Sequence, residues 1–137
     1  MAKVKTYLDS GVLITLARGT SDLETKVLNL LADPQRIFVS SMFLKLEVLP
    51  KPICYNNHDE LRLYNGYFKL VQKWYDNFKR LSEESYRIAC NYGLGGVDAL
   101  HLASAILLKA DEFITTEHHQ KPMYKVKEVK VISLLNI

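Results

Sequence analysis

Short apolar runs alternating with helical segments predict an α/β fold, a three-layer α/β/α sandwich around a central parallel β-sheet. Two observations carry this. Runs rich in β-branched and aromatic residues recur at Val4–Leu8, Ile37–Val39, Phe113–Thr116 and Val129–Ile132. Between them, apolar residues fall at the spacing of a helix with one buried face. The chain has 137 residues and 48% hydrophobic content, which suits a single domain over 1–137 with its own core.

Taken in order, Val4–Leu8 reads as a buried strand ending at Asp9, followed by a helix through Val12–Leu16 that stops at Gly19. Ser21 and Glu24 have the spacing of a capping box, and Leu23, Val27, Leu30 and Leu31 form the stripe of a second helix that Asp33-Pro34 breaks. Ile37–Val39 is the next strand, and a helix over Met42–Leu49 ends at Pro50. Pro50 to His58 reads as a loop. From Asp59 to Phe78 the spacing predicts one long helix with two apolar lines, one through Leu61, Tyr64, Phe68, Val71 and Tyr75, the other through Leu63, Tyr67, Leu70 and Trp74. Phe78–Leu81 reads as a brief strand, and Ser82 with Glu83-Glu84 starts a helix that runs to Gly93. A strongly apolar helix over Val97–Ala110 and the last two strands complete the chain.

Composition excludes several classes. Charged residues make up 24%, too few for a disordered chain, and a net charge of +3 permits nucleic-acid binding without requiring it. Cys54 and Cys90 stand far apart, without the spacing of a zinc site or a disulfide framework. The N-terminal apolar run is interrupted by Asp9, unlike a signal peptide. No segment approaches the ~20 apolar residues that span a bilayer. A cytoplasmic protein with no membrane partner is expected. Nucleotide-binding glycine motifs, a nucleophile elbow, a zinc-protease motif and a helix-turn-helix signature are all missing.

Carboxylates that break their local pattern point to the chemistry. Asp9 closes an apolar strand, at the end where open α/β sheets bind ligands, although it could equally cap the next helix. Glu47 shares a helix face with Phe43 and Leu44, where an ionised carboxylate needs either a metal cation or a basic side chain. Asp98 sits in the first turn of the most apolar helix, whose Ala99, Ala103, Ser104 and Ala105 suggest close packing; the helix dipole favours an anion there in any case. Glu117 follows the Phe113–Thr116 strand as Asp9 follows the first. Asp111 precedes that strand and belongs at the opposite end of the sheet, in a turn or cap. Four carboxylates without a Cys/His cluster suit Mg²⁺ or Mn²⁺. His101, one helical turn after Asp98, is expected to pack or to support a ligand, and His118-His119 to be loop residues.

The order of these motifs resembles PIN-domain proteins. Tyr7-Leu8-Asp9-Ser10-Gly11 is similar to their opening strand, and Ser40-Ser41 with Leu46-Glu47-Val48-Leu49 to their second acidic motif. Val97-Asp98-Ala99-Leu100-His101-Leu102-Ala103 and Ala110 through Glu117 are similar to the third and fourth. The resemblance implies a metal-dependent ribonuclease, many single-domain relatives being VapC-like, usually dimeric toxins of type II toxin–antitoxin pairs. It implies Asp9, Glu47 and Asp98 as the acidic core, with Ser10 at the small polar position after the first acid and Thr116 at the hydroxyl position beside the fourth. One departure is that the fourth acid is typically Asp, whereas here it is Glu117. The expected partners are therefore RNA, a protein antitoxin and a second copy of the chain. A ribonuclease of RNA processing, outside any such pair, has the same motifs.

A second reading is an interaction module of the same fold without catalysis. The aromatic density from Tyr55 to Phe78 suits a partner surface, unless that helix is sandwiched in the core. Arg18, Lys45, Lys51 and Lys121 are candidate phosphate contacts near the mouth of a site.

Overall fold

The computed structural model describes residues 2–19 and 21–137. The elements are β1 (Val4–Leu8), α1 (Ser10–Arg18), α2 (Ser21–Ala32), β2 (Arg36–Ser41), α3 (Met42–Val48), α4 (Pro50–Cys54), α5 (His58–Leu70), β3 (Val71–Tyr75), α6 (Phe78–Tyr92), α7 (Gly96–Leu107), β4 (Glu112–Thr115) and β5 (Lys130–Ser133). The capping role expected of the Ser21 side chain lies outside what is described.

All five strands are parallel, in the order β3-β2-β1-β4-β5. Strand side chains alternate between two separate cores, one on each face of the sheet. Leu8, Phe38, Ile114 and Ile132 join α1, α2 and α5 in one core. Their neighbours Tyr7, Val39, Phe113 and Val131 join α6 and α7 in the other. This is the expected α/β sandwich. The small residues of α7 serve that packing, since Ala103 and Ala105 are fully buried and Ser104 folds its hydroxyl back on Leu100 O at 2.7 Å. Among the described residues no helix is long and apolar enough to cross a membrane.

Three local expectations are corrected. The predicted long helix over 59–78 divides: α5 ends at Leu70, and Val71–Tyr75 becomes edge strand β3, paired with β2 from Phe38↔Val71 to Ser41↔Tyr75. The free edge of β2 needs backbone partners, and this tertiary demand outweighs a helical period that continues across the junction. The aromatic residues of α5 are largely core, Tyr64, Tyr67 and Phe68 being buried by the chain itself. Phe78–Leu81 is no strand but the first turn of α6, capped by Asn77, whose side chain accepts from Arg80 N–H. Ser82 is accordingly inside the helix, its hydroxyl donating to Phe78 O. The predicted loop after Pro50 contains α4, with Pro50 in the first turn, where its missing N–H costs nothing.

At the N-terminal end of the sheet, Asp111 accepts from Lys5 N–H at 2.7 Å, in the turn role expected of it. Beside it, buried Glu112 accepts from Thr6 Oγ1 at 2.6 Å and from Arg36 Nε at 2.8 Å. Arg36 also reaches Asp33 at 2.6 Å. Arg36→Met would leave the Glu112 carboxylate buried with one hydroxyl for company. A loss of about 2–3 kcal/mol in urea denaturation is expected.

Candidate metal centre at the strand ends

From β1 the sheet grows in one direction through β2 and β3 and in the other through β4 and β5. This reversal opens a crevice beyond the C-terminal ends of β1 and β4, the usual ligand position in open parallel sheets. Asp9 follows the last residue of β1, and Thr115 is the last residue of β4. The pairing Leu8↔Ile114 puts them side by side.

Asp9 is 6% exposed. Its Oδ1 accepts from Ser10 N–H at 2.9 Å, so it does cap α1, while Oδ2 accepts from the Thr115 hydroxyl at 2.9 Å. Burial pushes its pKa up, opposed by His101, Thr115 and the Ser10 N–H, and assisted by the charge of Glu47. Capping and ligation are compatible, because a carboxylate has lone pairs left after two hydrogen bonds.

Glu47 reaches the same crevice from α3. Its partner is neither Lys nor Arg but His101: Nε2 of the ring bonds Oε1, and Ser10 Oγ donates to Oε2 at 3.4 Å. The bond from His101 is the main reason its pKa is lowered, with burial opposing. His101 itself is buried and held from behind. Its Nδ1 lies 2.7 Å from the Tyr7 hydroxyl, which lies 2.8 Å from Ser41 Oγ. An ionised Glu47 can only accept, so Nε2 carries the proton. In the neutral ring Nδ1 then accepts from Tyr7. Burial pushes the Tyr7 hydroxyl pKa well up, which keeps it a neutral donor.

The candidate ligand atoms of Asp9, Glu47 and His101 all lie within 4.8 Å of one another, the only such group among the described residues. Both nitrogens of His101 are already engaged, so its role in this arrangement is to hold Glu47 rather than to offer a lone pair.

Asp98, the third residue of α7, is half-buried. Its pKa is raised, by burial first and then by the charges of Asp9 and Glu117, with His101 and Lys121 opposing. Its carboxylate therefore shares an electrostatic neighbourhood with both. Glu117 is pinned through its backbone: its N–H donates to Thr115 Oγ1 at 3.1 Å and its carbonyl accepts from the Tyr124 hydroxyl at 2.8 Å. Asp9 and Asp98, both with raised pKa values, carry charge that a divalent cation would relieve, and carboxylate oxygens suit Mg²⁺ or Mn²⁺.

Thr116 turns its hydroxyl over Gly11, where any Cβ would collide with it. The hydroxyl that reaches Asp9 belongs to Thr115, one residue earlier. Adjacent strand residues face opposite sides, so the two hydroxyls serve different surroundings. Tyr7 and Ser41 also went unread, because a Tyr in an apolar run and a Ser before a helix have ordinary packing and capping roles. His118 and His119 lie in the loop after β4, as expected, and are exposed.

Thr115→Val keeps the side-chain shape and removes the donor to Asp9. It is expected to weaken Mn²⁺ binding roughly tenfold in calorimetric titration while leaving the circular dichroism spectrum unchanged.

Comparison with curated protein sequences gives no match. Among solved structures, the chain is similar to one from a toxin–antitoxin complex of Klebsiella pneumoniae, with a TM-score of 0.70, 22% identity and coverage of 94% of this chain and 97% of that one. VapBC2 from Rickettsia felis, bound to a DNA fragment from their promoter, gives 0.73 at 12% identity, covering 95% and 98%. VapBC-1 from nontypeable Haemophilus influenzae gives 0.71 at 16%, covering 96% and 99%. At these identities the likeness speaks for the fold. The model of the PIN domain family matches residues 6–126, from within β1 to the approach to β5 and across every acidic motif described above; the chain belongs to the PIN-domain family.

Proposed function

We propose that the protein is a Mg²⁺- or Mn²⁺-dependent endoribonuclease that hydrolyses RNA phosphodiester bonds, with Asp9, Glu47, Asp98 and Glu117 as its metal-holding acids. The observation that carries this reading is the convergence of Asp9, Glu47 and His101 within 4.8 Å; Asp98 and Glu117 stand outside that group, Asp98 coupled by charge to Asp9 and His101, and Glu117 to Asp98. A bound divalent ion supplies a Lewis acid for the phosphate and an acidified water as nucleophile. Asp9 and Asp98 would be its principal oxygen donors, with Glu117 as a further one. The Ser41–Tyr7–His101 chain fixes the Glu47 carboxylate in one orientation and keeps it ionised, so that it can donate an oxygen or take up a proton at Oε2. Ser10 supports the same oxygen.

Incubation of the purified protein with single-stranded RNA tests this. Cleavage should appear with Mn²⁺ or Mg²⁺ and vanish in excess EDTA. No cleavage with either ion, and no Mn²⁺ binding, would leave the second reading, a PIN-fold interaction module without catalysis.

We further read the protein as the toxin of a type II toxin–antitoxin pair, on the strength of its structural neighbours, which are toxin–antitoxin complexes. An apolar groove of about 210 Å³ between α3 and α6, with Met42, Leu46 and Phe78 at 66%, 63% and 67% exposure, supports a protein partner, an antitoxin or a second copy in a homodimer. A ribonuclease of RNA processing outside any such pair would share the acids. A small adjacent frame encoding a DNA-binding antitoxin separates the two.

A further inference from the structure

Beside Glu47 a cavity of about 410 Å³ opens between α1, α3, α4 and α5, a volume that accommodates a group the size of one nucleotide. Glu47 forms part of both its wall and the acidic cluster, so the cavity adjoins the candidate metal centre. Arg18, the last residue of α1, and Lys51 from α4 line it, while Ile14 adds apolar surface.

Neither cation has an ion-pair partner among the described residues. Glu60 shares the cavity but is already engaged, its Oε1 accepting from the Tyr64 hydroxyl at 2.7 Å and its Oε2 from Asn57 Nδ2 at 2.9 Å. Lys45, another basic residue of this region, is used elsewhere: its ammonium sits 4.5 Å over the Trp74 ring and 5.6 Å from that of Phe68. Lys121, which does not line the cavity, lies near Asp98 instead. Free cations thus stand on both the Glu47 and the Asp98 approaches to a centre that is itself acidic.

We propose that this cavity is a subsite for the phosphate and sugar next to the cleaved bond of a single-stranded RNA, with Arg18 and Lys51 as its phosphate contacts. The proposal rests on the metal-dependent nuclease reading for its substrate, but its test does not require cleavage. A cavity this size, lined by residues of four helices, suits one strand rather than a duplex. The carboxylate of Glu47 in the wall repels a phosphate unless a divalent ion offsets its charge, so occupancy of the subsite depends on metal.

The test is fluorescence anisotropy with a short labelled single-stranded RNA in Ca²⁺ across a salt series, comparing wild type, Arg18→Gln/Lys51→Gln and, as a control, Lys45→Gln. Each single-strand phosphate contact contributes about 0.7 to the slope of log affinity against log salt, so the double variant should lose about 1.4 while the control keeps the wild-type slope. Replacing Ca²⁺ by EDTA should weaken wild-type binding more than that of the double variant. Both substituted side chains are exposed, so the variant keeps the fold. An unchanged slope, or no RNA binding by wild type, overturns the subsite. So does an acidic peptide that binds through Arg18 and Lys51 while RNA affinity is indifferent to them. Wild-type cleavage with an unchanged slope would reject the subsite alone. The expected slope loss without any cleavage would reject the catalytic reading alone.

Discussion

Asp98→Asn is expected to lower Mn²⁺-dependent RNA cleavage by more than about 100-fold while raising the melting temperature of the metal-free protein. Both effects have one cause. Without metal, the Asp98 carboxyl is half-buried and faces the charges of Asp9 and Glu117, which together with burial raise its pKa. A carboxyl whose folded pKa lies above its unfolded value opposes folding in its ionised form. That penalty is absent below the unfolded pKa and complete once pH passes the folded one, so at neutral pH the charge of Asp98 is a burden that Asn removes. With Mn²⁺ bound the sign should reverse, since the same charge would then face a cation. Wild type should gain roughly 2.7 kcal/mol at a Mn²⁺ concentration 100-fold above its Kd, a rise on the order of 10 °C for a domain of this size, and the variant should gain much less. Thermal melts at pH 7 with and without Mn²⁺, alongside a gel cleavage assay, read both. A variant that cleaves as well as wild type removes Asp98 from the centre.

Phe113→Ala should be the most destabilising single truncation, costing about 3–5 kcal/mol of the 5–15 typical of a folded domain. Phe113 is fully buried at the middle of β4, between β1 and β5, and its ring stacks on Tyr7 with centroids 5.4 Å apart. The same Tyr7 carries the hydroxyl that holds His101, so the cavity would loosen the support of Glu47 as well as the core. Urea denaturation measures the first effect. The second appears as a drop in Mn²⁺ affinity in conditions where the variant is still folded. A loss below about 1 kcal/mol would mean that the sheet centre repacks around the gap.

Much of this architecture was legible beforehand because the relevant signals are local. Val4–Leu8 and Phe113–Thr116 are apolar runs closed by acids, and a parallel sheet places such endings on one edge. β3 was not legible. Val71, Trp74 and Tyr75 continue the spacing of Tyr64 and Phe68, so the segment satisfies a helix until the open edge of β2 claims its backbone. The aromatic stretch likewise suggested a partner surface, and only packing revealed Tyr64, Tyr67 and Phe68 as core.

By itself the chain determined that it would form an alternating α/β sheet with Asp9 and Glu117 beyond strand ends, because strand and helix periods are properties of neighbouring residues. It also singled out Glu47 and Asp98 as charges out of keeping with their surroundings. Only tertiary structure decided that Thr115 rather than Thr116 faces Asp9, that His101 binds Glu47 with Tyr7 behind it, and that Lys45 stacks on Trp74 while Arg18 and Lys51 line a cavity without an ion-pair partner among the described residues. Those choices depend on the register between strands and the angle between helices. They join side chains as far as 106 positions apart, for which no local pattern carries the information.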